Sequence, residues 1–248
     1  MTILVTGGTK GIGLAIARRV ARHGERLVLG YASDDMSAER ARAELEGRGA
    51  AVHTVRADIG TIDGVEALMK EVESFGNGLD HIVHSAAMIY PTNLLDADLV
   101  KFTRAVETNG LSLLYLVQKA QPLLRRGSSI VFVSSMGARI PSPNYGALGV
   151  GKALAEAIIR YLVAELAPRG IRINAIAPGL VHTTSVAAMV GGEEKAAAVV
   201  DRAARANPSG RASKDSDYAS LVEYLLSPEA EFVQGQVIAA TGGTGIIG

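Results

Sequence analysis

The first twenty residues constrain the chain most. Ile3-Leu4-Val5 is a short β-branched run that passes through Thr6-Gly7-Gly8-Thr9-Lys10-Gly11-Ile12-Gly13 into Leu14, Ala15, Ile16, Val20 and Ala21 at helical spacing. This pattern reads as strand, glycine turn and helix. Gly7 permits a tight turn, Gly11 lets a pyrophosphate approach the backbone, and Gly13 lets helix and sheet pack closely, while the helix N-terminus offers N–H groups to an anion. The spacing is T-G-x3-G-x-G rather than G-x-G-x-x-G, and a purely structural turn is the competing reading.

The alternation continues. Arg26 to Tyr31 reads as a second strand, Ser37 to Arg48 as a helix, Val52 to Ala57 as a third strand and Thr61 to Phe75 as an amphipathic helix. Gly76-Asn77-Gly78 turns the chain into a fourth strand, Leu79 to Val83. Leu94 to Lys119 carries two helical patterns with Asn109 between them. Ile130 to Val133 reads as a fifth strand, Ala153 to Ala167 as a helix apolar on more than one face, Ile171 to Ala177 as a sixth strand, Tyr218 to Leu226 as a last helix and Gln236 to Ala240 as a last strand. Strands alternating with helices predict an α/β fold, a single-domain Rossmann-type doubly wound parallel sheet of about seven strands spanning residues 1–248, with its ligand site at the C-terminal ends of the strands. Thr6, Asp58, Ser85, Ser135 and Pro178 all fall at such ends. From 184 to 211 the composition turns to Ala, Gly, Glu and Pro with no strand signal, which fits a lid over a substrate pocket.

Composition narrows the function. Lysine plus arginine equals aspartate plus glutamate at 25 each, so no net field draws the chain to nucleic acid or an anionic membrane. Cysteine is absent, which removes disulfides, thiolate catalysis and sulfur metal sites, and no metal site is expected. The start MTILVTGG lacks a basic stretch followed by an apolar core of about 7–15 residues, and no run reaches the roughly 18 apolar residues of a membrane span. A cytoplasmic location is the expectation.

The second strand's end bears on the nucleotide. An acidic residue there would bind the adenosine ribose hydroxyls of NAD and repel a 2′-phosphate, but the chain runs Tyr31-Ala32-Ser33 before reaching Asp34. With Lys10 as a nearby cation, this favours NADPH over NADH; Lys10 as an ordinary solvated lysine is the other reading. Asp58 can accept from an adenine amino group or cap the next helix. His84 offers a general base, though a lone histidine at a strand end is more often structural.

The stretch Ser134 to Lys152, SSMGARIPSPNYGALGVGK, gathers hydroxyls, a phenol and an amine. Tyr145 precedes Lys152 by seven residues, about two turns if both lie on one helix, and an ammonium beside a phenol favours its ionisation. Such a phenol can serve a substrate oxygen that becomes negative, which is reduction chemistry when a hydride donor is near.

These residues resemble the short-chain dehydrogenase/reductases over nearly the whole chain. Thr6-Gly7 with Gly11 and Gly13, Asp58, Asn109, Ser135, Lys152, Pro178-Gly179 and Thr183 match that family's pattern in order. Two segments depart from it. The family's Asn-Asn-Ala-Gly is here His84-Ser85-Ala86-Ala87, and its Tyr-x3-Lys has Leu148 where the tyrosine should stand. Tyr145 and Lys152 instead form Tyr-x6-Lys, which is similar to the bacterial enoyl-acyl-carrier-protein reductases, in the branch closest to ordinary short-chain reductases. A further aromatic hydroxyl that many of that group carry upstream is missing from Arg139-Ile140-Pro141-Ser142-Pro143.

The resemblance implies an NADPH-dependent enoyl thioester reductase acting on an acyl carrier protein or coenzyme A substrate in fatty acid or polyketide-like synthesis, as a homo-oligomer, tetramer or dimer. Tyr145 would hold the enolate oxygen, Lys152 the nicotinamide ribose, Ser135 would add a second donor and Asn109 a water in a proton path. The cofactor would lie along Thr6, Gly7, Thr9, Lys10, Gly11, Ile12 and Gly13, then Tyr31, Ser33, Asp58, Ile59, Ser85 and Ala86, with Lys152, Pro178, Gly179 and Thr183 at the nicotinamide end. A 3-ketoacyl-type carbonyl reductase with a relocated tyrosine is the alternative. From another class, loss of the usual tyrosine fits a non-catalytic nucleotide-binding sensor or scaffold.

Overall fold

In a computed structural model, residues 1–76 and 78–245 are described. The expected turn at Asn77 lies outside them. Seven strands form one sheet: β1 Thr2–Thr6, β2 Arg26–Tyr31, β3 Ala51–Arg56, β4 Leu79–His84, β5 Leu124–Val133, β6 Arg172–Pro178 and β7 Val237–Ala240. Their order is β3-β2-β1-β4-β5-β6-β7, and every neighbouring pair is parallel. The order reverses between β1 and β4, which opens a crevice at the strands' C-terminal ends.

Pleating explains why the strands read as continuous apolar runs. In β1, Ile3 and Val5 face one layer and Leu4 the other; in β5, Val131 and Val133 face the first layer and Ile130 and Phe132 the second. The first layer is built by α1 (Gly11–Val20), α2 (Asp35–Glu46) and, late in the chain, α9 (Asp215–Leu226). The second is built by α3 (Ile62–Phe75), α5 (Ser112–Ala120) and α6 (Gly146–Leu166). Both faces of the sheet are therefore covered, and the polar rim at the strand ends is where a ligand can reach.

Several elements differ from the sequence reading. Helix α6 begins at Gly146 rather than Ala153, and Gly149 and Gly151 carry its first turns through close crossings with Gly137 and Asn109. Strand β5 starts at Leu124, six residues earlier than Ile130, since its first residues pair only at their ends: Leu79 with Leu124, then His81 with Ser129 after a register shift. Helix α4 (Leu99–Val106) and α5 are joined by a π-helical turn, Glu107–Leu111, that holds Asn109. The stretch 184–211 contains two helices, α7 (Thr184–Val190) and α8 (Glu193–Ala206), separated by Gly191 and Gly192, both at positive φ. Among the described residues, no helix is long and apolar enough to cross a membrane, and no group of three or more His, Asp or Glu stands where it could hold a metal ion.

Candidate active site

The glycine turn is shaped by backbone contact. A Cβ on Gly7, whose φ is +65°, would lie 2.8 Å from the Ala86 backbone, and one on Gly13 would lie 2.2 Å from the Gly7 carbonyl oxygen. Gly11, at φ +53°, faces the Thr183 methyl, with 3.7 Å from its would-be Cβ, so the turn and the segment after β6 converge across the crevice. Helix α1 has neither a side-chain cap at Lys10 nor an acidic residue in its first turn, whereas α2, α3, α4 and α7 are capped by Asp34, Thr61, Asp98 and Thr183. An open helix N-terminus on a glycine turn fits a phosphate group, so the residues present suit a dinucleotide. Thr9 is buried beneath the turn and Ile12 is half-buried.

At the end of β2, Tyr31 donates to Asp35 at 2.9 Å, which raises its phenol above the usual range, and Ser33 is exposed. Asp34 does not face the crevice as a free carboxylate. It caps α2 by accepting from the Ser37 amide at 3.0 Å and hydroxyl at 2.8 Å, and these bonds, with Lys10 Nζ at 3.3 Å, hold its carboxyl below the usual range. Arg56, paired with Tyr31 in register, reaches over the same loop: Nε donates to the Ala32 carbonyl at 3.3 Å and Nη1 lies 3.5 Å from Asp35. Sequence reasoning missed Arg56, because only strand pairing brings it to the loop after β2.

Asp58 follows β3 at the expected edge. Its Oδ1 accepts from the Gly60 amide at 3.1 Å and its Oδ2 from Arg104, whose Nη1 also donates to the Gly60 carbonyl at 2.7 Å. It caps no helix: α3 takes Thr61 instead. Arg104 lies 46 residues away on α4 and carries no local sequence signal. Ile59 is buried in the second layer's core, so only its backbone faces the edge.

After β4, the Ser85 amide donates to the Thr6 carbonyl at 3.1 Å and the Ala86 amide to Thr6 Oγ1 at 3.4 Å. His84 is fully buried: Nδ1 meets Thr6 Oγ1 at 2.6 Å and Nε2 meets Ser112 Oγ at 2.8 Å. Ser112 spends its proton on the Thr108 carbonyl at 2.7 Å, so the histidine donates from Nε2 and accepts at Nδ1. Burial, and next the charge of Lys152, push its pKa down to about 3. With both nitrogens committed and no exposure, His84 is a strut and not a base. Asn109 is likewise buried, its Oδ1 accepting from the Met88 amide at 2.8 Å and its Nδ2 donating to the Met88 carbonyl at 2.9 Å.

Ser135 and Tyr145 come together beyond β5, and Lys152 reaches the end of the same strand at the Val133 carbonyl. Tyr145 stands just before α6 with non-helical φ −96° and ψ 0°, so the phenol leaves a loop rather than a helix face. Its hydroxyl donates to Ser135 Oγ at 2.9 Å, and Ser135 Oγ also accepts from the Gly137 amide at 3.1 Å, which leaves the serine proton free to donate. Burial raises the Tyr145 pKa, offset in part by Ser135, which is opposite to the lowering expected from a neighbouring ammonium. The ring seats on Gly137, where a Cβ would lie 2.3 Å from Cε1. Leu148 is buried.

Lys152 is buried, donates to the Val133 carbonyl at 2.7 Å and lies 4.4 Å from the Phe132 ring centroid. Desolvation lowers its pKa to about 7. At the neighbouring edge, β6 ends at Pro178, the Gly179 amide donates to the Ala240 carbonyl at 2.8 Å, and Thr183 Oγ1 caps α7 through the Val186 amide at 3.2 Å.

The family pattern described as "Enoyl-(Acyl carrier protein) reductase" matches residues 7–245. The chain is 33% identical over 246 residues to the 1-cyclohexenylcarbonyl-CoA reductase of Streptomyces collinus, covering 98% of this chain and 86% of that protein. It is 29% identical over 242 residues to the 3-oxoacyl-[acyl-carrier-protein] reductase of Staphylococcus aureus, covering 97% and 96%. A short chain dehydrogenase from Burkholderia cenocepacia, solved in complex with NADP, superposes with a TM-score of 0.87 at 28% identity, covering 97% and 96%. With a nucleotide turn, a Ser135–Tyr145 pair and a buried Lys152 on one sheet edge, this chain belongs to the short-chain dehydrogenase/reductase family of oxidoreductases.

Proposed function

We propose that this protein is an NADPH-dependent reductase that delivers hydride to the C=C bond of an enoyl thioester carried on acyl carrier protein or coenzyme A. The observation that carries this reading is the 2.9 Å bond from the Tyr145 hydroxyl to Ser135 Oγ, with a buried leucine at 148, which supports Tyr145 as the acid of the site. Bound NADPH supplies the hydride. Tyr145, kept neutral by burial, donates to the thioester oxygen as it takes on enolate charge, and Ser135 donates its unspent proton to the same oxygen. Lys152 holds the nicotinamide ribose and, when protonated, lowers the energy of the anion. A water in the proton path would be held by the π-turn's backbone, since Met88 occupies both ends of the Asn109 amide.

The turn at 6–13 takes the pyrophosphate, Asp58 and the Ile59 backbone the adenine, Ser85 and Ala86 the space beside the nicotinamide ribose, and Pro178, Gly179 and Thr183 the nicotinamide. Lys10, bonded to Asp34, and Arg56, bonded to the Ala32 carbonyl, bring two cations to the loop after β2, which favours a 2′-phosphate and so NADPH. Helices α7 and α8 form the substrate lid, hinged at Gly191 and Gly192. The exposed Tyr161 and Val150 on the outer face of α6 support a homodimer or homotetramer built on that helix.

A second reading has its own support: the Staphylococcus aureus relative is a 3-oxoacyl reductase, and a phenol that stabilises an enolate oxygen can equally protonate an alkoxide. Under either reading, Tyr145→Phe lowers kcat by about 100- to 10,000-fold while the NADPH Kd stays within about twofold. A variant with wild-type turnover would remove Tyr145 from the reaction. Wild-type protein that binds NADPH and turns over neither an enoyl nor a 3-ketoacyl thioester would favour the sensor or scaffold.

A further inference from the structure

Helix α6 is apolar where it meets the sheet, yet one buried residue on it is a carboxylate that the chemistry above does not use. Glu156 follows Lys152 by one turn. Its Oε1 accepts from Ser134 Oγ at 2.6 Å and its Oε2 from Arg139 Nε at 3.1 Å. A buried carboxylate costs stability unless its oxygens are bonded, and here both are. Both donors sit on one short segment, and between them lie Ser135, which receives the Tyr145 hydroxyl, and Gly137, on which the Tyr145 ring rests.

The seat matters because Tyr145 precedes the helix. A tyrosine at position 148 would be placed by the helical backbone of α6, in fixed relation to Lys152. A tyrosine at 145 leaves from a loop, where its placement depends on what the loop packs against. That surface is the 3₁₀ turn Met136–Ala138, whose N-cap is Ser135. The Ser134 amide is anchored to β6 through the Ile176 carbonyl at 2.7 Å, which fixes one end; the middle rests on α6 at Gly149, where a Cβ would lie 2.5 Å from the Gly137 carbonyl oxygen, and the far end is held to α6 by the Arg139–Glu156 ion pair.

We propose that Glu156 is a positioning residue. By clasping Ser134 and Arg139 it fixes the 135–138 turn to α6, and thereby sets where the Tyr145 hydroxyl stands relative to Lys152, which shares the helix. This rests on Tyr145 being the acid, and is indifferent to whether the reduced bond is C=C or C=O.

The test uses the full-length protein with Glu156→Ala, Glu156→Gln and Arg139→Ala, each assayed well below its own melting temperature. A misplacement of about 1 Å can cost about 100-fold in rate. Glu156→Ala is expected to lower kcat by about that factor, with the NADPH Kd within about twofold. Glu156→Gln, which keeps an acceptor for Ser134, restores part of the loss, and Arg139→Ala falls between. In a Tyr145→Phe background, Glu156→Ala costs nothing further in kcat, because its effect passes through the phenol. In a crystal structure of the Glu156→Ala protein, the Tyr145 hydroxyl is displaced from Ser135. Wild-type kcat in Glu156→Ala with only a lowered Tm overturns the proposal, as does a Tyr145–Ser135 contact kept at 2.9 Å in that crystal. The crystal answers even when no thioester is turned over, so failure of the functional reading and failure of this one are told apart.

Discussion

The glycine turn at 6–13 and the stretch from Val133 to Lys152 lie on the same sheet edge and are held in opposite ways. The first is fixed by absence of side chains: Gly7 and Gly13 let backbone meet backbone at distances no Cβ permits, so the turn offers a ligand its amides. The second is fixed by side chains that spend themselves on one another, with Tyr145 on Ser135, Glu156 on Ser134 and Arg139, and Lys152 on the Val133 carbonyl. Amides bind an anion whatever the acyl group attached elsewhere, whereas a side-chain constellation can move its acid along the chain and keep its chemistry. That difference fits a glycine turn that follows the family pattern beside a tyrosine that does not.

Breaking one region should spare the other. The largest effect is expected from Gly13→Ala, whose new methyl meets the Gly7 carbonyl: overpacking of this kind costs about 1–3 kcal/mol, and NADPH binding should be lost in titration by cofactor fluorescence. Unchanged affinity would mean that the turn does not set the phosphate site. A smaller effect is expected at the turn's charged rim. Lys10→Ala and Arg56→Ala should each weaken NADPH by about tenfold, the worth of one charge-assisted hydrogen bond, and leave NADH binding nearly unchanged. Equal losses for both nucleotides would assign these cations to stability alone.

The smallest effect concerns Lys152 without cofactor. Its folded pKa, about 7, lies below the ordinary 10.5, so between those values the unfolded chain holds the extra proton and stability rises with pH. Lys152→Met removes that rise. Its Tm advantage over wild type should therefore be larger at about pH 6 than at about pH 9, on a scale of about 2–4 °C per kcal/mol for a chain of this size. A difference independent of pH would contradict a desolvated lysine.

What the sequence discloses follows the same division. The strand–turn–helix at 2–20 and the parallel sheet are legible because glycine spacing and apolar runs are local signals. Ser135, Tyr145 and Lys152 are legible as a group because they lie within eighteen residues of one another. Arg56 and Arg104 are not, since strand register brings the first to the Ala32 carbonyl and the second reaches Asp58 across a 46-residue separation. His84 reads as more often structural than catalytic, and the strut is assigned only when Thr6 and Ser112 are seen to occupy its two nitrogens. Glu156 leaves a trace, as an acid four residues past the lysine on a largely apolar helix, but its partners lie upstream in a loop that carries no periodicity.

The most direct measurement is NADPH consumption by the purified protein offered a trans-2-enoyl thioester and the matching 3-ketoacyl thioester side by side, with NADH as control. Turnover of the enoyl substrate with NADPH, and none of the ketone, is the predicted result. Turnover of the ketone alone would contradict it and assign the relocated phenol to carbonyl reduction.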